Sequence, residues 1–340
     1  MKECIFGKTL IELEDLVAEL CLPKFTARQI ADWLYKKDIS SIDEMSNLSK
    51  KARELLSKKY ELGLTPPTKV QESTDGTKKY LFPTLQHKFI ETAMIPERDR
   101  KTVCVSSQVG CKMGCAFCLT GKQGFQGQLS AGEIINQIKS INEAAEITNI
   151  VYMGMGEPFD NTEQVLKSIE ILTAEWGFAM SPRRITVSTI GVIPAMITFI
   201  DKCEAHLAVS LHTPFSDERH KLMPVQAAYS IDKVVAEIKR CNLSNQRRVS
   251  FEYIVFEDLN HLPQHVNELA KLLSGLKCQI NLIRFHSVQG IPLKSPSDNV
   301  MQNFKDALNR KGIFTTIRSS RGEDIYAACG LLSTFSALNS

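Results

Sequence analysis

Cys111, Cys115 and Cys118 stand in VGCKMGCAFCLTG at a spacing of C-x3-C-x2-C. Three thiolates are one short of a closed site, because structural zinc and cubane iron–sulfur clusters each take four ligands. Two chemistries answer the shortfall. In the first, zinc is completed by Cys104 or by a distant histidine. Zinc sites usually come as two ligand pairs, and the sequence shows no second pair. In the second, the thiolates hold a 4Fe–4S cluster and leave one iron open to a substrate or cofactor. Phe117 and the glycines Gly110, Gly114 and Gly121 suit a tight loop around such a core.

Other residues gain meaning only from context. MGMGEP (153–158) has the glycines of a phosphate loop but lacks the third glycine of a dinucleotide fingerprint and any Walker lysine. Alone it is a strand-to-helix turn. Cys104 and Cys329 would each pass for a small buried hydrophobe, and Glu91 for an exposed strand residue. Cys4, Cys21, Cys203, Cys241 and Cys278 match no motif and read as packing residues.

The elements that must position these residues follow from periodicity. Residues 1–65 read as a helical accessory domain. Thr26 is expected to cap ARQIADWLYKK, and Ser49 to cap KKARELLSKKY. Residues 66–98 read as a linker, GLTPPTK, and a short hairpin made of KKYLFPT and HKFIETAMI. From residue 99 to 335, strand-like runs at 102–107, 149–154, 184–189, 205–212, 248–256 and 278–285 alternate with helical patterns near 130–145, 161–175, 193–202, 231–241 and 262–274. A further strand begins near Ile313, and 336–340 form a tail. Repeated βα units imply a parallel sheet with right-handed crossovers. Six units are too few for a complete eight-stranded barrel, so a partial (β/α)6 TIM-like barrel is expected, although periodicity alone does not separate it from a doubly wound sheet. The three cysteines, Gly156 with Glu157, Ser188, Ser210 to His212, and His286 all fall at C-terminal ends of predicted strands. That is the active-site face of barrel-type α/β proteins.

Composition narrows the class. A chain of 340 residues, 43% hydrophobic, has the core for one large domain or a large domain with an appendage. Net charge is only +3, which argues weakly for a polyanionic partner. Lys50, Lys51, Arg53, Lys58 and Lys59, with Arg183–Arg184, Arg247–Arg248, Arg318 and Arg321, form either solvated helix faces or a distributed phosphate-contacting surface. The N-terminus lacks a signal-peptide pattern, and no run of 18 apolar residues spans a membrane. A cytoplasmic protein is expected. In a reducing compartment, ten cysteines point to metal or redox chemistry rather than a disulfide framework.

C-x3-C-x-aromatic-C after the first barrel strand resembles the radical S-adenosylmethionine (SAM) superfamily. Further strings, IETAMIPERDRKTVCVSSQVGC, MGMGEP, SPRRITVSTIGVIPA, SLHTPFSDERHKLMP and IRSSRGEDIYAACGLL, resemble the RlmN/Cfr family of radical SAM adenosine methyltransferases of RNA. The likeness covers nearly the whole chain. It implies a radical SAM barrel with a helical accessory domain, a 4Fe–4S cluster on Cys111, Cys115 and Cys118, and two SAM per turnover. It implies SAM contacts at Gly156, Glu157, Ser188, Ser210, Leu211, His212 and His286, where the family often has Asn in place of His286. Glu157 would offer its carboxylate to the SAM ammonium. It implies Cys329 as the methyl-carrying cysteine, Cys104 as the resolving cysteine that ends in a disulfide with it, and Glu91 as proton acceptor. The substrates implied are 23S rRNA and tRNA, methylated at adenine carbon 2. The electron donor would be a flavodoxin or ferredoxin, and the protein a monomer. A Cfr-type carbon-8 enzyme, a radical SAM enzyme of small molecules, and an electron-transfer or zinc module remain as alternatives.

Overall fold

The computed structural model describes residues 2–241, 243, 248–287, 290–328 and 330–334. Cys329 and the tail from residue 335 therefore lie outside the described residues.

The N-terminal unit begins with β1 (Glu3–Cys4) and three helices, α1 (Leu10–Glu19), α2 (Thr26–Lys36) and α3 (Lys50–Lys59). At the start of α1 the Thr9 hydroxyl accepts from Glu12 N–H, and the Glu12 carboxylate accepts from Thr9 N–H. This reciprocal cap satisfies two amides that a helix start leaves without partners. Ser49 caps α3 through Ala52 N–H, as expected. Thr26 does not cap α2: it is the first helical residue and is buried, and Phe25 precedes it without a side-chain cap. β2 (Tyr60–Glu61) returns in parallel to β1 and closes the unit. Its core, built on Ile5, Leu13, Ile30, Leu34 and Leu56, also takes in Ile135 and Ile171 from two later helices.

The chain then lays down β3 (Lys69–Glu72), β4 (Lys78–Pro83), β5 (Phe89–Glu97) and β6 (Arg100–Cys104) as an antiparallel run. The predicted hairpin is thus not a separate piece. β5 pairs with β6 over five residue pairs, so the hairpin extends the barrel sheet. After β6 come β7 (Gln108–Val109), the short α4 (Leu119–Gln123), β8 (Gly127–Gln128) and α5 (Ala131–Lys139). The β/α alternation continues with β9 (Asn149–Tyr152), α6 (Thr162–Thr173), β10 (Ile185–Thr189), α7 (Ile193–Lys202), β11 (His206–Ser210), α8 (Ser216–Leu222) and α9 (Ile231–Arg240). It ends with β12 (Val249–Val255), α10 (Pro263–Leu272), β13 (Cys278–Arg284), α11 (Asp298–Arg310) and β14 (Thr315–Ile317).

The strand order is β14-β13-β12-β11-β10-β9-β6-β5-β4-β3, with every pairing from β14 to β6 parallel. The sheet is open, and β14 and β3 are its edges. β12 is buried along its whole length, as a central parallel strand covered on both faces must be. The sequence reading lacked α4, α8 and α11. For α11 the signals were present: Ser297 caps it through Val300 N–H, and Met301, Phe304 and Leu308 mark one buried stripe.

The segment after β14 connects the two edges of the sheet. Gly322 N–H donates to Asp75 Oδ2 (3.0 Å), and Ser73 Oγ donates to Asp324 Oδ1 (2.6 Å), both at the β3–β4 turn. Ser320 and Glu323 meet His286, just beyond β13. Gly330 O then accepts from Leu119 N–H (2.9 Å), at the start of α4. Among the described residues, no helix is long and apolar enough to cross a membrane.

Candidate active site

The loop between β7 and α4 carries the three cysteines. Gly110 is at φ +70°, and a Cβ there would lie 1.7 Å from Gly124 O, so the loop closes only over a glycine. Ala116 N–H donates to Leu222 O, and the Phe117 ring stands edge-on to His212 at 4.9 Å. Cys111, Cys115 and Cys118 thereby line one cavity of about 150 Å³ at the C-terminal ends of β9, β10 and β11. Burial pushes the Cys111 thiol up to about 12, helped by Cys118, Glu157 and Asp160, and burial with Cys118 and Cys111 also raises Cys115. Such thiols are neutral, so metal loading must displace their protons. Among the described residues no three His, Cys, Asp or Glu side chains are grouped so as to hold a single metal ion; a cubane cluster spreads three thiolates over three irons and does not need that grouping. Three thiols on one cavity wall fit a cluster with one open iron. Cys104, the candidate fourth ligand, lines a neighbouring cavity instead.

The same 150 Å³ cavity is lined by Gly156, Glu157, Ser188, Ser210 and His212. His212 is buried, with φ +58°. Its Nδ1 accepts from Ile254 N–H at 2.9 Å, and burial together with Arg219 lowers its pKa to about 3. The ring is therefore neutral with its proton on Nε2, which leaves one donor at the cavity wall. Glu157 is less free than expected. Its Oε1 accepts from Phe159 N–H and its Oε2 from Ile190 N–H, each at 3.0 Å, while burial raises its pKa to about 7. Gly156 is required by Gln108, whose side-chain carbons would lie 2.5–2.7 Å from an added Cβ. Leu211 contributes no side chain to this cavity: it is fully buried in the main core.

Sequence reasoning missed Arg219. It is fully buried and donates to Ile190 O (2.9 Å), Ser210 O (3.1 Å), Leu211 O (3.3 Å) and Gln226 Oε1 (2.7 Å). One guanidinium thus ties the end of β11 to the loop after β10, which positions Ser210 and His212. A fully buried arginine is rare unless paired, but burial is not visible in the sequence.

A second cavity, about 470 Å³, adjoins the first, and Met153, Ile283 and Leu332 line both. Cys104 is in its wall, packed with Ala93 and Ala327. His286 lines this cavity and not the first. Its Nε2 lies 2.8 Å from Ser320 Oγ, and its Nδ1 2.9 Å from Glu323 Oε1, so neither ring nitrogen is free for the SAM contact the resemblance implied. Also missed was Glu252 on β12, 3% exposed at the wall of the first cavity, which accepts from Asn281 Nδ2 (2.8 Å) and lies 3.6 Å from Arg318 Nε.

Glu91 is not an exposed strand residue. It is 1% exposed, with Lys79 Nζ 3.0 Å from Oε1, off the line of a hydrogen bond. Ser333 N–H donates to Oε2 at 2.9 Å. Burial pushes the Glu91 carboxyl up, against the lowering effects of Lys79 and Ser333 N–H. In register, Ala93 on β5 pairs with Cys104 on β6, so Glu91, two residues from Ala93, shares the face of Cys104. Elsewhere, Lys50 and Lys51 are exposed, while Arg53 is tied to Asp43 O. Cys21 is also a correction: it is exposed in a turn at φ +52°, not a packing residue.

An open, mostly parallel sheet with three thiols at the C-terminal ends of its parallel strands defines a class, and residues 105–273 match the Radical SAM superfamily. Residues 5–62 match the ribosomal RNA large subunit methyltransferase N-terminal domain. The chain is 53% identical over 330 residues to the probable dual-specificity RNA methyltransferase RlmN of Bacteroides thetaiotaomicron, covering 97% of this chain and 96% of that one. It is 41% identical over 336 residues to the dual-specificity RNA methyltransferase RlmN of a Sulfurovum species, with 93% of each chain covered. The crystal structure of a radical SAM methyltransferase from Sphaerobacter thermophilus superposes with a TM-score of 0.90 at 40% identity, over 97% of this chain and 99% of that one. This chain belongs to the RlmN family of radical SAM methyltransferases.

Proposed function

We propose that this protein methylates carbon 2 of adenosine in 23S rRNA and in tRNA, on the 3′ side of the anticodon. The observation that carries the reading is the adjoining pair of cavities, with the three thiols on one and Cys104 on the other. Held by Cys111, Cys115 and Cys118, a 4Fe–4S cluster with bound SAM supplies one-electron cleavage and the methyl group, two SAM per turnover. The 154–157 loop, Ser188, Ser210 and the Nε2–H of His212 hold SAM. Cys329 carries the methyl group; this role rests on the resemblance. Carbon 2 of adenine is an electrophilic amidine carbon. One hydrogen atom of the Cys329 methyl group passes to the acceptor that SAM cleavage would supply, and the methylene carbon so freed bonds to carbon 2 in a covalent protein–RNA adduct. The odd electron of the adduct would return to the cluster. Glu91 accepts the proton displaced from carbon 2. The Cys104 thiolate then attacks the Cys329 sulfur and breaks the carbon–sulfur bond; the departing methylene carbon keeps the electron pair and takes back a proton, which releases the methylated base and leaves a disulfide. The N-terminal helices, with exposed Lys50 and Lys51, hold the RNA while the target base leaves its stack. A flavodoxin or ferredoxin delivers the electron, and the enzyme works as a cytoplasmic monomer.

The test replaces Cys104 with Ala in cluster-loaded protein supplied with an rRNA fragment, SAM and a reductant. A covalent protein–RNA adduct should accumulate, and wild-type enzyme should yield 2-methyladenosine by mass spectrometry. Normal turnover of the variant with no adduct overturns the role of Cys104. Methylation at carbon 8 overturns the choice of atom.

A further inference from the structure

We infer that Lys79 is the positioning residue that keeps Glu91 ionised, and so able to take a proton, while the C-terminal segment seals it from water. The inference rests on the reading of Glu91 as proton acceptor.

The geometry starts from strand alternation. Lys79 on β4 pairs in register with Ala93 on β5, and Ala93 with Cys104 on β6, so one row crosses three strands on one face. Glu91 lies diagonal to Lys79 on that face, within reach of a long side chain. Lys79 is 4% exposed and Glu91 1%, so neither charge has water to rely on. A carboxylate so enclosed takes up a proton unless a cation stands beside it.

The surroundings leave that task to Lys79. From β6 the face offers Cys104, a thiol. From the loop after β9 comes Met155, whose sulfur accepts from Glu91 N–H at 3.3 Å. From the C-terminal segment comes the Ser333 amide. Among the described residues, Lys79, from β4, is the charged side chain in contact with the carboxylate. The adjacent Lys78 points to the other face, where it pairs with Glu143 at 2.8 Å. Two successive lysines therefore serve two different acids, and Lys78 is a built-in control.

The experiment compares K79M, K79R, K78M and E91Q in two readouts. One is the pH profile of methylation in cluster-loaded enzyme. The other is the carboxyl titration of Glu91 by carbon-13 NMR, assigned from the resonance lost in E91Q. In K79M both should move to higher pH by at least one unit, which costs about tenfold in rate for each unit at pH values below the limb. K79R should recover most of the shift, and K78M should match wild type. If E91Q is inactive while K79M keeps the wild-type profile and titration, Lys79 does not hold the charge and the inference fails alone. If E91Q methylates normally, the reading of Glu91 as base fails, and the NMR titration by itself judges Lys79. Should K79M not fold, the K79M/E91Q double variant has no unpaired buried charge and should fold. Collapse of that protein, with E91Q folded, would show that Lys79 serves packing and would overturn the inference.

Discussion

Gly156→Ala tests how the cofactor loop is built. Gly156 is at φ +101°, a conformation that side chains rarely adopt, and an added Cβ would lie 2.5 Å from Gln108 Cβ, 2.7 Å from its Cγ and 2.9 Å from its N. Gln108 cannot simply step aside. Its Nε2 donates to Asp160 (2.8 Å) and Gln128 (2.9 Å), and its Oε1 accepts from Glu157 N–H (2.8 Å). The backbone strain costs about 1–3 kcal/mol, and forcing the contact adds about 1–3 kcal/mol. Gly312→Ala isolates the first effect, because Gly312 is at φ +82° with no heavy atom within 4 Å of its added Cβ. The two variants should therefore differ by about 1–3 kcal/mol, a gap of roughly 1.5–4 °C in thermal midpoint for a chain of 340 residues. Circular dichroism melts of the anaerobically purified proteins measure it. Calorimetric titration of cluster-loaded protein should show SAM binding weakened at least tenfold in G156A and unchanged in G312A. If G156A melts within a degree of G312A and binds SAM as wild type does, the close approach is relieved without cost and the reasoning is refuted.

The neutral His212 predicts a pH slope. Its folded pKa, near 3, lies below the unfolded value of about 6.5, so the unfolded chain binds the extra proton and stability falls as pH drops below about 6.5, by up to about 1.4 kcal/mol per unit. His212→Asn keeps an acceptor for Ile254 N–H but has no such proton to bind, so denaturant midpoints between pH 7 and 5 should fall less steeply than in wild type. Asp75 predicts a local effect. Burial acts to raise it, but hydrogen bonds from Thr77 and Gly322 hold it at about 2, so its contribution is present above the usual carboxylate range and is lost as pH falls toward 2. Asp75→Asn should loosen the clip to Gly322 by about 1 kcal/mol, seen as faster amide exchange at residues 322–328. Unchanged exchange there would show that Asp324 alone holds the segment.

The legible parts of the chain share a cause. The βα alternation was readable because buried parallel strands are rich in β-branched and aromatic residues, as Val249, Phe251, Tyr253, Ile254 and Val255 are along β12, and the helices between them bury a stripe every three to four residues. The cysteine loop was readable because ligands on a tight turn must be close in sequence. Arg219, Lys79 and Glu252 were not. Each is an ordinary charged residue in the sequence, and its importance comes from enclosure by elements far along the chain. Glu91 meets Ser333 across 242 positions, and no local pattern encodes that contact.

By itself the sequence determined the class of chemistry: three thiols at one spacing, strand ends that collect polar residues, and strings that resemble one enzyme family. Only the tertiary structure decided how those residues divide. It put Cys104 in a separate cavity from the three thiols, moved His286 to that second cavity, and spent the Glu157 oxygens on backbone amides. It also sealed Glu91 between Lys79 and Ser333. The physical reason is that spacing along a chain sets what can be neighbours within a loop. Burial and charge pairing are properties of surfaces that meet only when strand register and the open sheet bring them together.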